Sequence, residues 1–162
     1  MIQEQNQEHS PVAGYAITIP GTLADCRLSI RGRLPGLNEY TNACRTSPRA
    51  GADMKQQAQE LVMWHILSQI RGQRFTKPVF LLFTFYEQDR RRDRDNVSSF
   101  ARKVIQDALV KCGTLQDDGW DQVTGYLDRF QVDKKNPRIE VQFIEQEVEP
   151  KCKERRGKSS KK

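Results

Sequence analysis

Histidine is almost missing from this chain: His9 and His65 are the only two in 162 residues. That excludes a metal centre built on imidazoles. Cysteine is scarce as well, and Cys26, Cys44, Cys112 and Cys152 stand far apart with no C-x-x-C pair. The spacing of a zinc ribbon or of a dithiol redox site is therefore absent. A metal held here has to be held by oxygen, which favours magnesium or manganese. No apolar run approaches the ~20 residues that a membrane span requires. The opening residues, Met1 to Gln7, lack the basic-then-apolar order of a secretory signal. No internal repeat occurs. The expectation is a protein of the cell interior, cytoplasmic, with no membrane partner and with length enough for one domain.

What is abundant is charge, and it is unevenly placed. The formal net charge is +6. Residues 151–162 hold seven basic side chains against Glu154 alone, which is 7 − 1 = +6, so the remainder is formally neutral at 20 basic against 20 acidic. Residues 1–12 are polar and read as a disordered N-terminus. Residues 149–162 read as a disordered basic tail, either an arm that raises DNA affinity in a salt-dependent way or a solubilising extension. The folded part is expected over residues 13–148.

Within that part, Tyr15–Ile19 and Cys26–Arg31 alternate as strands do. Gly32 to Gly51 carries Pro35, Gly36, Asn38, Asn42, Ser47 and Pro48, the chemistry of a long loop, and long ordered loops are often functional. From Asp53 to Ile70 the apolar positions keep helical spacing. Val79–Tyr86 is an unbroken apolar run that suits a buried central strand. Val97, Phe100, Ala101, Val104, Ile105, Ala108 and Leu109 mark a second helix, with Asp95 or Asn96 as its N-cap and Gly113 as its stop. Strands follow at Val123–Val132 and Arg138–Ile144. The expected fold is α/β, a mixed sheet with two main helices.

The chemistry concentrates where the central strand should end. Arg90-Arg91-Arg92-Asp93-Arg94-Asp95-Asn96 sets two carboxylates among four guanidinium groups. In extended chain Asp93 and Asp95 point to one side and can share a cation. Adjacent anions need a metal, a shared proton or arginine partners. Arginine forks suit phosphate oxygens. Strand ends in α/β sheets are where ligands bind. Lys103 and Asp107 are i, i+4 neighbours on a flank of the helix. Asp117 and Asp118 follow its end and must fold back along roughly 24 Å of helix to reach Asp93. Carboxylate-bound magnesium in such a group can hydrolyse phosphodiesters. The alternative is that Asp93 and Asp95 only cap the helix and pair with Arg91 or Arg94.

These residues resemble the RusA family of Holliday junction resolvases. The pattern R-R-D-x-D-N falls on Arg91 to Asn96, K-x-x-x-D-A-L on Lys103 to Leu109, and G-x-x-x-D-D on the stretch ending at Asp117-Asp118. Pro35 to Tyr40, which reads P-x-x-N-x-Y, is similar to that family's P-x-x-N-x-x-Y loop. The likeness covers residues 13–145. It implies a magnesium-dependent homodimer, with manganese a possible substitute, that nicks opposed strands of a four-way DNA junction. The setting it implies is DNA recombination and repair in a bacterial or phage-infected cell. Carried over by position, the metal and catalytic aspartates are Asp93, Asp95 and Asp118. The helix lysine is Lys103, and Asp107 and Asp117 are secondary candidates. Between Asn96 and Lys103 this chain is four residues longer than the shorter form of the family. The lysine keeps its face but moves ~6 Å along the axis, so Arg102 is the other candidate for its place.

Around this group, Asn38, Arg45, Arg49, Arg91, Arg92 and Arg94 are the candidate DNA contacts. Arg45, Arg49, Lys55, Arg71 and Arg74 form either a solvated surface or part of a basic wall, favoured for Arg45 and Arg49. Asn38 either makes a turn with its own backbone or meets substrate. Trp64 reads as core or dimer contact, Trp120 as core, contact or stacking platform, and His65 as a packed histidine. Two readings compete with junction resolution: a non-catalytic branched-DNA-binding protein, and a nuclease of flaps or single strands.

Overall fold

The computed structural model describes residues 18–147. Thr22–Arg31 forms β1, Leu37–Thr46 α1, Pro48–Gln69 α2, Val79–Glu87 β2, Arg94–Lys111 α3, Val123–Val132 β3 and Arg138–Glu145 β4. The four strands make one mixed sheet in the order β1-β4-β2-β3. β4 is antiparallel to both β1 and β2. β2 and β3 run parallel, as strands joined by a crossover helix do. The class is α/β, as the periodicity indicates.

The run at Val79 is apolar throughout because β2 is internal and flanked on both sides. Leu81, Phe83 and Phe85 are fully buried on one face, and Leu82 and Thr84 are nearly so on the other. Val62, Ile66, Val104, Ile105 and Leu109 from α2 and α3 cover the first face together with Leu28, Ile30, Val141 and Phe143 of the sheet. Each such side chain taken from water stabilises the fold by roughly 1.5–3 kcal/mol. The outer edge of β1 is closed by a side chain: Gln69 accepts from the Ser29 N–H at 2.8 Å and donates to its carbonyl at 2.7 Å.

Several expectations change. Gly32 to Gly51 is not a loop; it contains α1 and the start of α2, so three helices replace two. The turn-forming residues lie at helix boundaries. Gly36 is the N-cap of α1, and Ser47 both ends α1 and caps α2, accepting from the Ala50 N–H at 3.0 Å, with Pro48 at the first helical position. α1 has no fully buried residue of its own; its short stripe, Leu37, Tyr40 and Ala43, is only half-buried and lies among turn-forming residues. Of the strand expected at Tyr15–Ile19, residues 15–17 lie outside the described residues, and Thr18 and Ile19 are not strand. The N-terminal segment 1–12, the tail 149–162, His9 and Cys152 also lie outside. The N-cap of α3 is Asp93, not Asp95 or Asn96. Gly113, at φ +72°, ends α3 as expected. Its N–H donates to the Val110 carbonyl and the Thr114 N–H to that of Leu109, which together make a Schellman turn. Trp64 is 64% exposed and is not core; Trp120 is almost wholly exposed. His65 is buried and packed, as expected. No described helix is long and apolar enough to cross a membrane.

Candidate functional site

The N-terminus of α3 is fixed by α1. Gly36 offers no side chain to cap α1, and the oxygen of Asn96 does so instead, accepting from the Asn38 N–H at 2.8 Å. A Cβ at Gly36 would stand 2.7 Å from that oxygen, so the approach of the two helices requires glycine. The Gly36 N–H donates to Glu39 at 2.7 Å, and Tyr40 stacks on Phe100 at 4.6 Å. Asn38 therefore sits in a helix, its backbone engaged and its side chain exposed. At the start of α3, Asp93 makes no side-chain capping bond, while Asp95 accepts from the Ser99 hydroxyl at 2.8 Å. Both are exposed.

Two turns further along, two of the three sequence pieces meet. Lys103 Nζ contacts Asp107 Oδ1 at 2.8 Å and Asp118 Oδ2 at 2.6 Å. Asp118 thus folds back to the middle of α3, on the flank climbed by Asp95, Ser99, Lys103 and Asp107 at four-residue intervals. Along the axis Asp95 and Lys103 are ~12 Å apart. α2 closes the other side of Asp107: Lys55 Nζ lies 2.9 Å from Oδ2, and Gln59 donates to the same atom at 3.0 Å. Gln59 in turn accepts from Lys111 at 2.6 Å. The alternatives left open by spacing now separate. Arg102 turns the other way, onto Asp128 and over the ring of Tyr126 at 4.4 Å. Asp117 accepts from its own turn, at Gly119 N–H, 2.6 Å. Lys103 and Asp118 are the pair that meets.

The charges on this network follow from its bonds. Hydrogen bonds first to Asp107 and then to Asp118 raise the Lys103 ammonium above the ordinary lysine value. Burial pushes the Asp107 carboxyl up, but the bonds from Lys103 and Lys55 outweigh it and hold the group below the usual aspartate value.

The arginines divide into two kinds. Arg92 is spoken for: it holds Glu87 through three contacts of 2.8–3.1 Å and donates to the Leu34 carbonyl at 3.2 Å. It ties the end of β2 to the entry of α1, with little of its fork left for phosphate. Arg91 pairs loosely with Asp89 at 3.4 Å, and Arg94 lies over the Phe130 ring at 5.6 Å. Both remain exposed. Arg45 and Arg49 lie on helices rather than in a loop, exposed at the end of α1 and the start of α2, with Arg49 facing Asp53 at 3.9 Å.

The available donors near Lys103 and at the start of α3 are carboxylates, chemistry that fits magnesium or manganese. Among the described residues no three His, Cys, Asp or Glu side chains stand grouped to hold an ion; Asp118 is held by Lys103 and Asp95 by Ser99. Sequence reasoning missed Gln59, Ser99 and Asp128 and placed Lys55 on the surface. The one signal for Gln59 was an amide beside the apolar stripe of α2. No protein-family model and no curated protein matches the chain.

Proposed function

We propose that this chain is an endodeoxyribonuclease of branched DNA, acting first on four-way junctions, dependent on magnesium or manganese and working as a homodimer in recombination and repair. The observation that carries the reading is the contact between Lys103 and Asp118. It joins in space two parts of a three-part motif separated in sequence, on the helix whose first turn bears the third. A bound magnesium ion, held by Asp93, Asp95 and Asp118, would activate water against a phosphodiester. Asp118 stands beside Lys103, ~12 Å along the helix axis from Asp95. Sharing an ion would require Asp118 to leave Lys103 and its turn to move toward the start of α3, which would free the ammonium to face a phosphate. Arg91 and Arg94 hold the backbone without reading sequence. Two copies related by a two-fold axis suit a junction of nearly the same symmetry and account for paired nicks.

A second reading has its own support. Asp118 is neutralised by a lysine and the carboxylates are not grouped, which suits a protein that binds branched DNA without cutting it. One experiment decides: gel retardation and nicking on the same four-way junction, flap and linear duplex, at one salt concentration with magnesium. The proposal expects junction nicking by the natural chain. With Asp95→Asn it expects none, and retardation unchanged or stronger because a charge repelling phosphate is gone. Full cleavage by Asp95→Asn overturns the site. Retardation without any nicking by the natural chain leaves the binding protein, and preferred flap cleavage changes the substrate.

A further inference from the structure

At the carboxyl ends of the parallel strands β2 and β3 lies a cleft of about 350 Å³, beside Asp93 and lined by Arg90, Arg94, Phe130 and Gln131. Two acids on its wall, Glu87 and Asp89, are already neutralised by Arg92 and Arg91. Arg90 and Arg94 are exposed and have no carboxylate partner among the described residues. The ring of Phe130 is stacked on Phe85 at 5.2 Å on one side. The ring is only partly buried, and the Arg94 guanidinium lies 5.6 Å from its centroid, near the ~6 Å limit of such attraction. A flat group can therefore take the outer face of Phe130 and leave Arg94 to stack on it or turn to its phosphate.

We propose that this cleft receives one unstacked nucleotide from the branch point of the DNA. Its base lies over Phe130, and its phosphate rests on Arg90 and Arg94. The volume is at the small end for ligand sites, which run from about 300 to 1,000 Å³. It accommodates a single nucleotide and not a base pair. A planar ring beside cations is the usual platform for an unpaired base. Bases at a branch are the least costly to unstack. A nucleotide seated here brings its neighbouring phosphodiester to Asp93. This inference rests on the proposed action on branched DNA and adds to it the means of locating the branch.

The test is a cycle between ring and base. Four-way junctions carrying one abasic nucleotide, moved in turn through each position flanking the branch, are bound by the full natural chain and by Phe130→Leu and Phe130→Met. Both variants keep bulk against Phe85. The natural chain is expected to lose about 5- to 150-fold in affinity at one position, the value of one stacked base. The Phe130 variants should bind the intact junction more weakly by a similar factor and lose nothing further at that position. Equal binding of every abasic junction by the natural chain overturns the inference while leaving junction binding in place, whichever variant folds. Losses that simply add in the variants overturn it too. If the natural chain does not bind the intact junction, the proposed function falls and this site falls with it.

Discussion

Lys103 and Arg102 are neighbours in sequence and do opposite work, which makes them separable by mutation. Lys103 is more than half exposed and reaches Asp118. Arg102 and Asp128 are both mostly covered, and one oxygen of Asp128 has no hydrogen-bond partner. Arg102→Met is expected to cost about 3–5 kcal/mol in urea unfolding, because it strands a covered carboxylate. Lys103→Met is expected to fold normally and to lose on the order of 10²-fold in junction nicking, the size of one removed transition-state donor. His65 supplies a pH test. Burial, then the nearby Arg31 charge, lower its pKa below the ordinary ~6.5. A group lowered on folding contributes stability that is present above its unfolded value and lost as pH falls through the folded one. Urea midpoints should therefore decline from pH 7 toward pH 5, and less steeply in His65→Gln. The Asp107 contribution, lowered likewise, is lost only further into acid.

Among the elements, the contact between α1 and α3 depends on one glycine and one amide. Gly36 has φ −82° and ψ 168°, which any residue can adopt, and the nearest atoms a side chain would meet all belong to Asn96. Gly36→Ala is expected to destabilise by about 1–3 kcal/mol, as overpacking does. In an Asn96→Ala background the same change should cost much less. Additive losses in that double-mutant cycle would show that the two sites do not communicate. α2, α3, β1, β2 and β4 were legible because each buries part of a face and so carries a period of apolar residues; β3, read at Val123–Val132, has no fully buried residue. α1 buries none fully and is positioned by Asn96, by stacking on Phe100 and by a cap shared with α2. Its residues therefore gave only turn chemistry.

For the whole molecule, the order β1-β4-β2-β3 brings several chain segments to one end of the sheet. The connection from β3 to β4 passes over the end of β2, where the Asp133 N–H donates to the Glu87 carbonyl at 2.8 Å. The Asp93 turn, the cleft beside Phe130 and the entry to α1 all lie at that end. The body around them is formally neutral and the net +6 lies in residues 151–162, so under the proposed function any long-range attraction to DNA would fall to those residues. Deleting them should make the fall of log affinity with log salt shallower, with nicking of bound junction retained. An unchanged slope would remove the tail from binding.

Alone, the sequence determined the apolar periods, and with them the class of fold, the inner place of β2 and the stop of α3 at Gly113. It also held the motif that nominates the aspartates. Only the tertiary structure decided which lysine-row residue meets the acidic pair, which aspartate of that pair it meets, and that Arg92 braces the fold. The physical reason is range. Helical and strand periods are local and written in the order of residues. The approach of Asp118 to Lys103, of Asn96 to Asn38 and of Phe130 to Arg94 depends instead on how packed elements cross. Burial sets that crossing, and spacing along the chain does not record it.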